Sequence, residues 1–351
     1  MQPDEKQRYL SQPVEHIDIT RFDAVPLIEA MGRMAYSARD LARAAAIFDR
    51  MIADPECGII LCLAGSLVSA GLKKVFVEMI RSRMVDAIVS TGANLIDQDF
   101  FEALGFRRYQ ADPLLKTGVH DGKLRELSID RIYDTLIDEE QLRICDDTVR
   151  RIADELPPRP YSSRELLAAM GAFLQREGQT AIESIILEAY RQHVPVFCPA
   201  LSDCSAGFGL IAHRAGRRGA PVVRIDSAAD FDELTQLKIH LHETGLFMVG
   251  GGVPKNFAQD VVVAADVLGI ETPMHKYAIQ VTAADVRDGG LSGSTLVEAS
   301  SWGKVDTVFE QMVDAEATLA VPLIVAYAWH KGAWRNRNSR RLSRLLDTNN
   351  G

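Results

Sequence analysis

Short apolar runs recur along this chain, each followed by a cluster of small residues and then by a stretch with apolar positions at helical spacing. The first helical pattern covers Tyr36 to Ile52. Leu41, Ala44, Phe48 and Met51/Ile52 fall on one face, Ser37 is placed to cap the N-terminus, and Asp40 stands in the first turn. The run Gly58–Leu63 predicts a buried strand. A small-residue turn, AGSLVSAG (64–71), follows it, and then a helix to about Arg83. Asp86–Val89 predicts a second strand, closed by the turn Ser90–Asn94. Further strands are expected at Pro195–Cys198, Pro221–Ile225, Leu246–Val249, Tyr277–Val281 and 305–309. Helices are expected through His213, over 228–241 with Ser227 as cap, from Pro254 onward, and over 314–330. Six or seven short apolar strands with helices between them predict an α/β fold, a mostly parallel sheet covered on both faces.

Three segments depart from this rhythm. Residues 1–22 are polar, carry Pro3 and Pro13, and predict an N-terminal arm. Residues 108–180 are more charged, with LPPRP (156–160) between two helical stretches, and read as an insertion or a cover over the active site. The last 21 residues, 331–351, hold six basic side chains and one acid. This basic C-terminal tail is either a solvated segment or a patch that docks on the acidic body of a neighbouring subunit. Against the formal charge of −9 for the whole chain, it leaves −14 on the other 330 residues.

Composition narrows the class. At 47% apolar and 25% charged residues the chain has enough apolar side chains for a sizeable core, which excludes disorder. The negative charge argues against a nucleic-acid surface. No uncharged run approaches the ~20 residues of a membrane span, and MQPDEKQRYL lacks the apolar region of a secretory signal, so a cytoplasmic protein with no membrane contact is expected. Cys57, Cys62, Cys145, Cys198 and Cys204 are odd in number and contain no CxxC, which points to buried thiols rather than disulfides or a zinc site.

Candidate chemistry gathers after the strands. AGSLVSAG, STGAN, SDCSAG, GGGVPKN and the loop 282–294 each follow a predicted strand, and open parallel sheets bind ligands at strand carboxyl ends. Gly250, Gly251 and Gly252 either relieve a tight turn or let backbone N–H groups approach a phosphate at a helix N-terminus. Lys304 follows Trp302 and Gly303. Alone it reads as an exposed lysine after a turn, or as an amine able to attack an imine or carbonyl carbon. Trp302 fits a core position or a wall that holds an ammonium. His240 and His242 point apart on a helix, HExxH and GxSxG are absent, and no metal site is expected.

GGGVPKN (250–256), followed about fifty residues later by SSWGK (300–304), resembles the deoxyhypusine synthase family. PVFCPALSDCSAG (195–207) and the segment 58–99 are similar to two further parts of it, and the likeness runs from about 14 to 329. The variants STGAN and VPKN resemble its bacterial-type branch of deoxyhypusine synthase-like proteins. The resemblance implies a Rossmann-like single domain over 23–330, NAD as cofactor, and a homotetramer with sites at dimer interfaces. It implies oxidation of the polyamine spermidine by NAD and transfer of an aminobutyl unit through an imine on Lys304. Trp302 would wall the amine site and Glu298 would face a cationic nitrogen, with Asn256, Asp288 and Gly289 also at the substrate. Ser66, Ser69, Thr91, Gly92, Asp203, Gly251, Gly252, Ala283, Ala284, Glu316 and Ala317 would contact the cofactor.

Departures from the family pattern accompany these matches. Asn256 stands where the eukaryotic-type pattern has a catalytic histidine, and Asp260 where it has asparagine. Phe208 and Leu291 replace acidic anchors for the polyamine. Asp97-Gln98 replaces paired glutamates, with one extra residue before them. These changes leave three readings open: an aminobutyltransferase acting on a small amine, as in homospermidine formation; the same reaction on a protein lysine; or a nucleotide-binding homologue without turnover.

Overall fold

Successive strand side chains point to opposite faces, so a sheet buried on both sides needs apolar residues at every position. The strand β1 (Gly58–Leu63) shows this directly. Its Ile59, Leu61 and Leu63 enter one core, and its Ile60 and Cys62 enter another. The remaining strands are β2 (Ala87–Ser90), β3 (Val196–Phe197), β4 (Thr244–Val249), β5 (His275–Thr282) and β6 (Val305–Asp314). The structure, a computed structural model, describes residues 3–111, 121–178 and 182–349.

The six strands form one sheet in the order β6-β5-β4-β1-β2-β3, and every neighbouring pair is parallel. This is the doubly wound Rossmann-like order, and its direction reverses between β1 and β4. Eight helices frame the site: α1 (Ser37–Ala53), α2 (Lys73–Arg81), α3 (Ser205–Gly216), α4 (Ser227–Leu241), α5 (Gly252–Gln259), α6 (Val261–Val267), α7 (Leu296–Ser301) and α8 (Ala317–Lys331). The larger core packs α1, α2 and α8 on one face of the sheet, and the smaller packs α4 to α7 on the other.

Several boundaries differ from the sequence reading. Ser37 is the first helical residue rather than the cap. Tyr36 holds the cap position with φ 57° and makes no side-chain cap bond. Asp226, not Ser227, caps α4, because its carboxylate accepts from the N–H groups of both Ala228 and Ala229. The strand expected at Pro221–Ile225 shrinks to Arg224–Ile225, which pairs with Pro160–Tyr161 outside the main sheet. β6 runs on to Asp314, so α8 begins at Ala317.

The charged segment between β2 and β3 holds an antiparallel three-stranded sheet and the helices Glu139–Glu155 and Ser163–Arg176. Its residues 112–120 and 179–181 lie outside the described residues. The N-terminal residues after the helix Pro3–Tyr9 lie on the body: Val14 N–H donates to Arg108 O at 2.9 Å, and Ile17 N–H to Gly71 O at 3.1 Å. The basic C-terminal residues pack on their own chain. Arg337 is buried and grips both oxygens of Asp86 at 3.0 and 2.6 Å, while Leu342 and Leu346 enter the smaller core. All five cysteines are buried and free, and burial raises the thiols of Cys57 and Cys204 to about 12, which leaves them unreactive at neutral pH.

Candidate active site

Where the strand order reverses, the chains leaving β1 and β4 diverge and open a crevice. A cavity of about 410 Å³ lies there, walled by Gly65 and Ser66 after β1, Thr91 and Gly92 after β2, Asp203 after β3, and Gly252 and Val253 after β4. Its lining is small, so backbone can come close to a ligand. Gly92 shows why a side chain is excluded: a Cβ would sit 2.3 Å from Cys204 Sγ. A Cβ on Gly251 would sit 2.3 Å from the Cα of Ser292. The N-terminus of α5 opens at this cavity and presents unsatisfied N–H groups where an anion is favoured.

Polar side chains brace this edge from behind. Asn94 Oδ1 accepts the N–H groups of Leu67 at 2.8 Å and Val68 at 3.4 Å, and Gln98 Oε1 accepts Ser69 N–H at 2.7 Å. Asp97 Oδ1 accepts Ser205 N–H at 2.7 Å, which anchors the start of α3; burial raises its carboxyl. These residues lie in a π-helical stretch, Ala93–Phe100. Its wider turn aims Gln98 at the loop after β1 and Asp97 at the start of α3.

The helix α5 and the loop 289–294 join this cavity to a second one. Lys255 is buried on α5. Its ammonium donates to Gln280 Oε1 (3.0 Å), Leu291 O (3.1 Å), Ser294 O (2.6 Å) and Ser294 Oγ (3.0 Å). Burial pulls this ammonium down to about 8, with Glu298 acting in the opposite direction. Gln280, on β5, in turn donates to Gly250 O at 2.9 Å and Ser292 O at 3.0 Å. Lysine and glutamine together staple the glycine loop to the loop after β5.

On the far side of α5 lies the larger cavity, about 730 Å³. One wall is a face of α4, with Phe231, Asp232 and Thr235. Another is the continuous face of α5 and α6 formed by Asn256, Gln259, Asp260, Val263, Ala264 and Val267. Leu291, Glu298, Trp302 and Lys304 complete it. Lys304 stands just before β6, at the amino end of the sheet, where its carbonyl accepts His275 N–H at 2.9 Å. Its Nζ lies 2.5 Å from Asp260 Oδ1, 3.3 Å from Asn256 Oδ1 and 5.2 Å from the Trp302 ring centre. Asn256 Nδ2 donates to Asp260 Oδ2 at 2.6 Å, which closes a ring of three side chains.

The structure brings Ser66, Thr91, Gly92, Asp203 and Gly252 to the first cavity, with Gly251 at its α5 edge. It brings Asn256, Gly289, Glu298, Trp302 and Lys304 to the second. Asp288 is exposed at the end of a 3-10 turn and lines neither cavity. Ser69 is buried behind the first. Ala283, Ala284, Glu316 and Ala317 follow β5 and β6 on the same sheet edge but outside that cavity, and the Glu316 carboxylate accepts Thr318 N–H at 2.8 Å. Phe208 is on the surface of α3, away from both cavities, whereas Leu291 lines the second. Neither cavity is lined by a described residue of 108–180. Sequence reading missed the staple made by Lys255 and Gln280. Its only signals were a lysine inside GGGVPKN and a glutamine interrupting the apolar run of β5.

The deoxyhypusine synthase family matches residues 26–328. The "Deoxyhypusine synthase-like protein" of Chlorobaculum parvum is 57% identical over 344 residues, 98% of this chain and 97% of its own length. That of Coxiella burnetii is 55% identical over 344 residues, 98% of this chain and 96% of its own. The "Probable deoxyhypusine synthase 2" of Methanosarcina mazei is 41% identical over 325 residues, 92% and 91% of the two chains. A solved structure from Entamoeba histolytica shares the fold, with 19% identity and a TM-score of 0.59 over 90% of this chain and 97% of that one. With this match over most of its length, the chain belongs to the deoxyhypusine synthase family.

Proposed function

We propose that this protein is an NAD-dependent aminobutyltransferase that takes a four-carbon unit from spermidine or a related polyamine, holds it as an imine on Lys304, and passes it to a small amine, as in homospermidine formation. The observation that carries the proposal is Lys304: a side chain 12% exposed, its amine in a cavity beside Asp260 and Trp302, one helix away from a crevice suited to a dinucleotide.

The residues present fit NAD. The crevice lies at the switch point, glycine at 92 and 251 lets its walls pack closely where a Cβ would clash with Cys204 or Ser292, and the N-terminus of α5 favours a pyrophosphate. Ser66, Thr91, Gly92, Asp203 and Gly252 would hold the cofactor, whose oxidised nicotinamide accepts a hydride from the amine carbon. Lys304 then attacks the resulting imine carbon. Trp302 offers its ring face to a substrate ammonium, and Glu298 offers it a carboxylate. Phe231, Val263 and Val267 give the methylene chain an apolar wall and limit water.

Transfer to a protein lysine is a second reading, favoured by the name of the Methanosarcina mazei relative. We place the protein in the cytoplasm as a homotetramer with sites at dimer interfaces. Phe208 and Ile211, each 66% exposed on α3, are apolar surface that a second copy would cover. Mass spectrometry after incubation with NAD, spermidine and putrescine tests the function, with a lysine-bearing acceptor protein offered in parallel. Release of 1,3-diaminopropane with a new triamine supports the first reading, and label on the protein acceptor supports the second. Turnover unaffected by Lys304→Ala overturns both.

A further inference from the structure

The Lys304 site needs a group that can move protons, and the lysine has two polar neighbours. Asn256 is an amide and cannot accept a proton at working pH. Glu298 is exposed on α7, and Lys255 points its ammonium at Gln280, Leu291 and Ser294 rather than at Lys304. Asp260 remains. It stands at the junction of α5 and α6 and makes no side-chain cap bond to α6. One carboxylate oxygen faces Lys304 Nζ at 2.5 Å, and the other is held by Asn256 at 2.6 Å. Asn256 thus fixes the carboxylate with its amide N–H and the ammonium with its carbonyl oxygen, so both partners are set before substrate enters.

We infer that Asp260 is a catalytic proton carrier, shuttling protons between Lys304 and the nitrogen that leaves the substrate, with Asn256 as its positioning residue. The inference rests on the reading of Lys304 as the imine-forming lysine. The substrate carbon arrives as a protonated imine, its hydride having gone to a nicotinamide dinucleotide. Asp260 takes one proton from the Lys304 ammonium, and the freed lone pair forms a new bond to the imine carbon. The imine π pair moves onto the old nitrogen. The same carboxyl relays the second lysine proton to that nitrogen, the old C–N bond breaks, and its electron pair leaves with the amine. The departing amine takes the remaining proton. The step starts with an ammonium, a carboxylate and a protonated imine. It ends with a protonated lysine imine, a carboxylate and an ammonium, so charge and protons balance.

The test compares wild type, Asp260→Asn and Asp260→Glu, each checked for a folded circular-dichroism spectrum and for dinucleotide binding. The first readout is the rate of borohydride-trapped adduct on Lys304 with NAD and spermidine, followed from pH 6 to 10. The second omits the cofactor: butanal and cyanoborohydride, with Lys304 alkylation followed by peptide mass spectrometry. Asp260→Asn is expected to slow both at least about a hundredfold near pH 7, with the deficit shrinking toward pH 10 as hydroxide takes over, and Asp260→Glu to recover part of the rate. Rates within about threefold of wild type with an unchanged pH profile overturn the inference. So does faster alkylation in Asp260→Asn, which would mean that the carboxylate only restrains the ammonium. If wild type forms no adduct from spermidine while butanal still shows the Asp260 dependence, the polyamine reading fails and the proton carrier stands.

Discussion

The two cavities flanking α5 are built from different material. The crevice at the switch point is made of small residues and backbone, and close approach is enforced by glycine at 92 and 251. The cavity around Lys304 is made of side chains: a closed ring of lysine, aspartate and asparagine against an apolar wall from three helices. Of the departures from the family pattern, Asp97-Gln98 braces the crevice from behind and Phe208 lines neither cavity. Asn256, Asp260 and Leu291 all line the Lys304 cavity, and none lines the crevice. Backbone surfaces suit a ligand that stays the same, whereas side-chain surfaces can be re-tuned one residue at a time. This difference is why we keep NAD in the proposal and assign a different amine acceptor.

Substitutions can break or sharpen the contrast. The largest effect is expected from Lys304→Ala: transfer should fall at least about a thousandfold while dinucleotide affinity stays within about twofold, measured by product assay and fluorescence titration. A parallel loss of dinucleotide binding would merge the two cavities into one functional unit. Gly251→Ala should do the reverse. Its new methyl meets the Ser292 backbone, so stability should drop by about 1–3 kcal/mol and dinucleotide affinity by more than about tenfold, read by thermal melts and titration.

Lys255→Met touches both sites, because Lys255 staples the loops between them. Removing it takes the lysine donor from Gln280 Oε1 and Ser294 O and should cost about 2–4 kcal/mol. Its pH dependence has a definite sign. Burial lowers the folded-state value from 10.5 to about 8, so between those values the unfolded chain binds more protons. Wild type should therefore gain stability as pH rises through that window, by about 2–3 kcal/mol relative to Lys255→Met, and the gain should be flat below pH 8 in urea titrations. The smallest effect is expected from Trp302→Ala: loss of one aromatic face should raise the polyamine KM about fivefold, with kcat changed less.

Much of the crevice was legible from sequence, because local pattern decides it. Apolar runs of the right length followed by small residues place loops at strand ends, and parallel pairing then puts those loops on one edge. Ser66, Thr91, Gly92 and Asp203 met there for that reason. The Lys304 cavity was only partly legible. Asn256 and Asp260 are one helical turn apart, which a sequence shows, but Lys304 comes from the opposite end of the sheet, and only the tertiary fold brings its side chain to them. Asp232 and Phe231 of α4 were invisible as cavity residues, since their contribution depends on how α4 lies against α6. The caps were misjudged by one residue at Tyr36 and Asp226, because several adjacent residues can satisfy a helix start and the backbone conformation chooses among them. The Arg337–Asp86 pair joins positions 251 residues apart, and no local pattern announces it.

The most direct measurement is borohydride trapping of the working protein, followed by peptide mass spectrometry. With NAD and spermidine together, the account predicts a single aminobutyl adduct on Lys304. It should be absent when either is omitted and should discharge when putrescine is added before the borohydride. Protein that binds the dinucleotide but carries no adduct, or carries it on Lys255 instead of Lys304, would contradict the account.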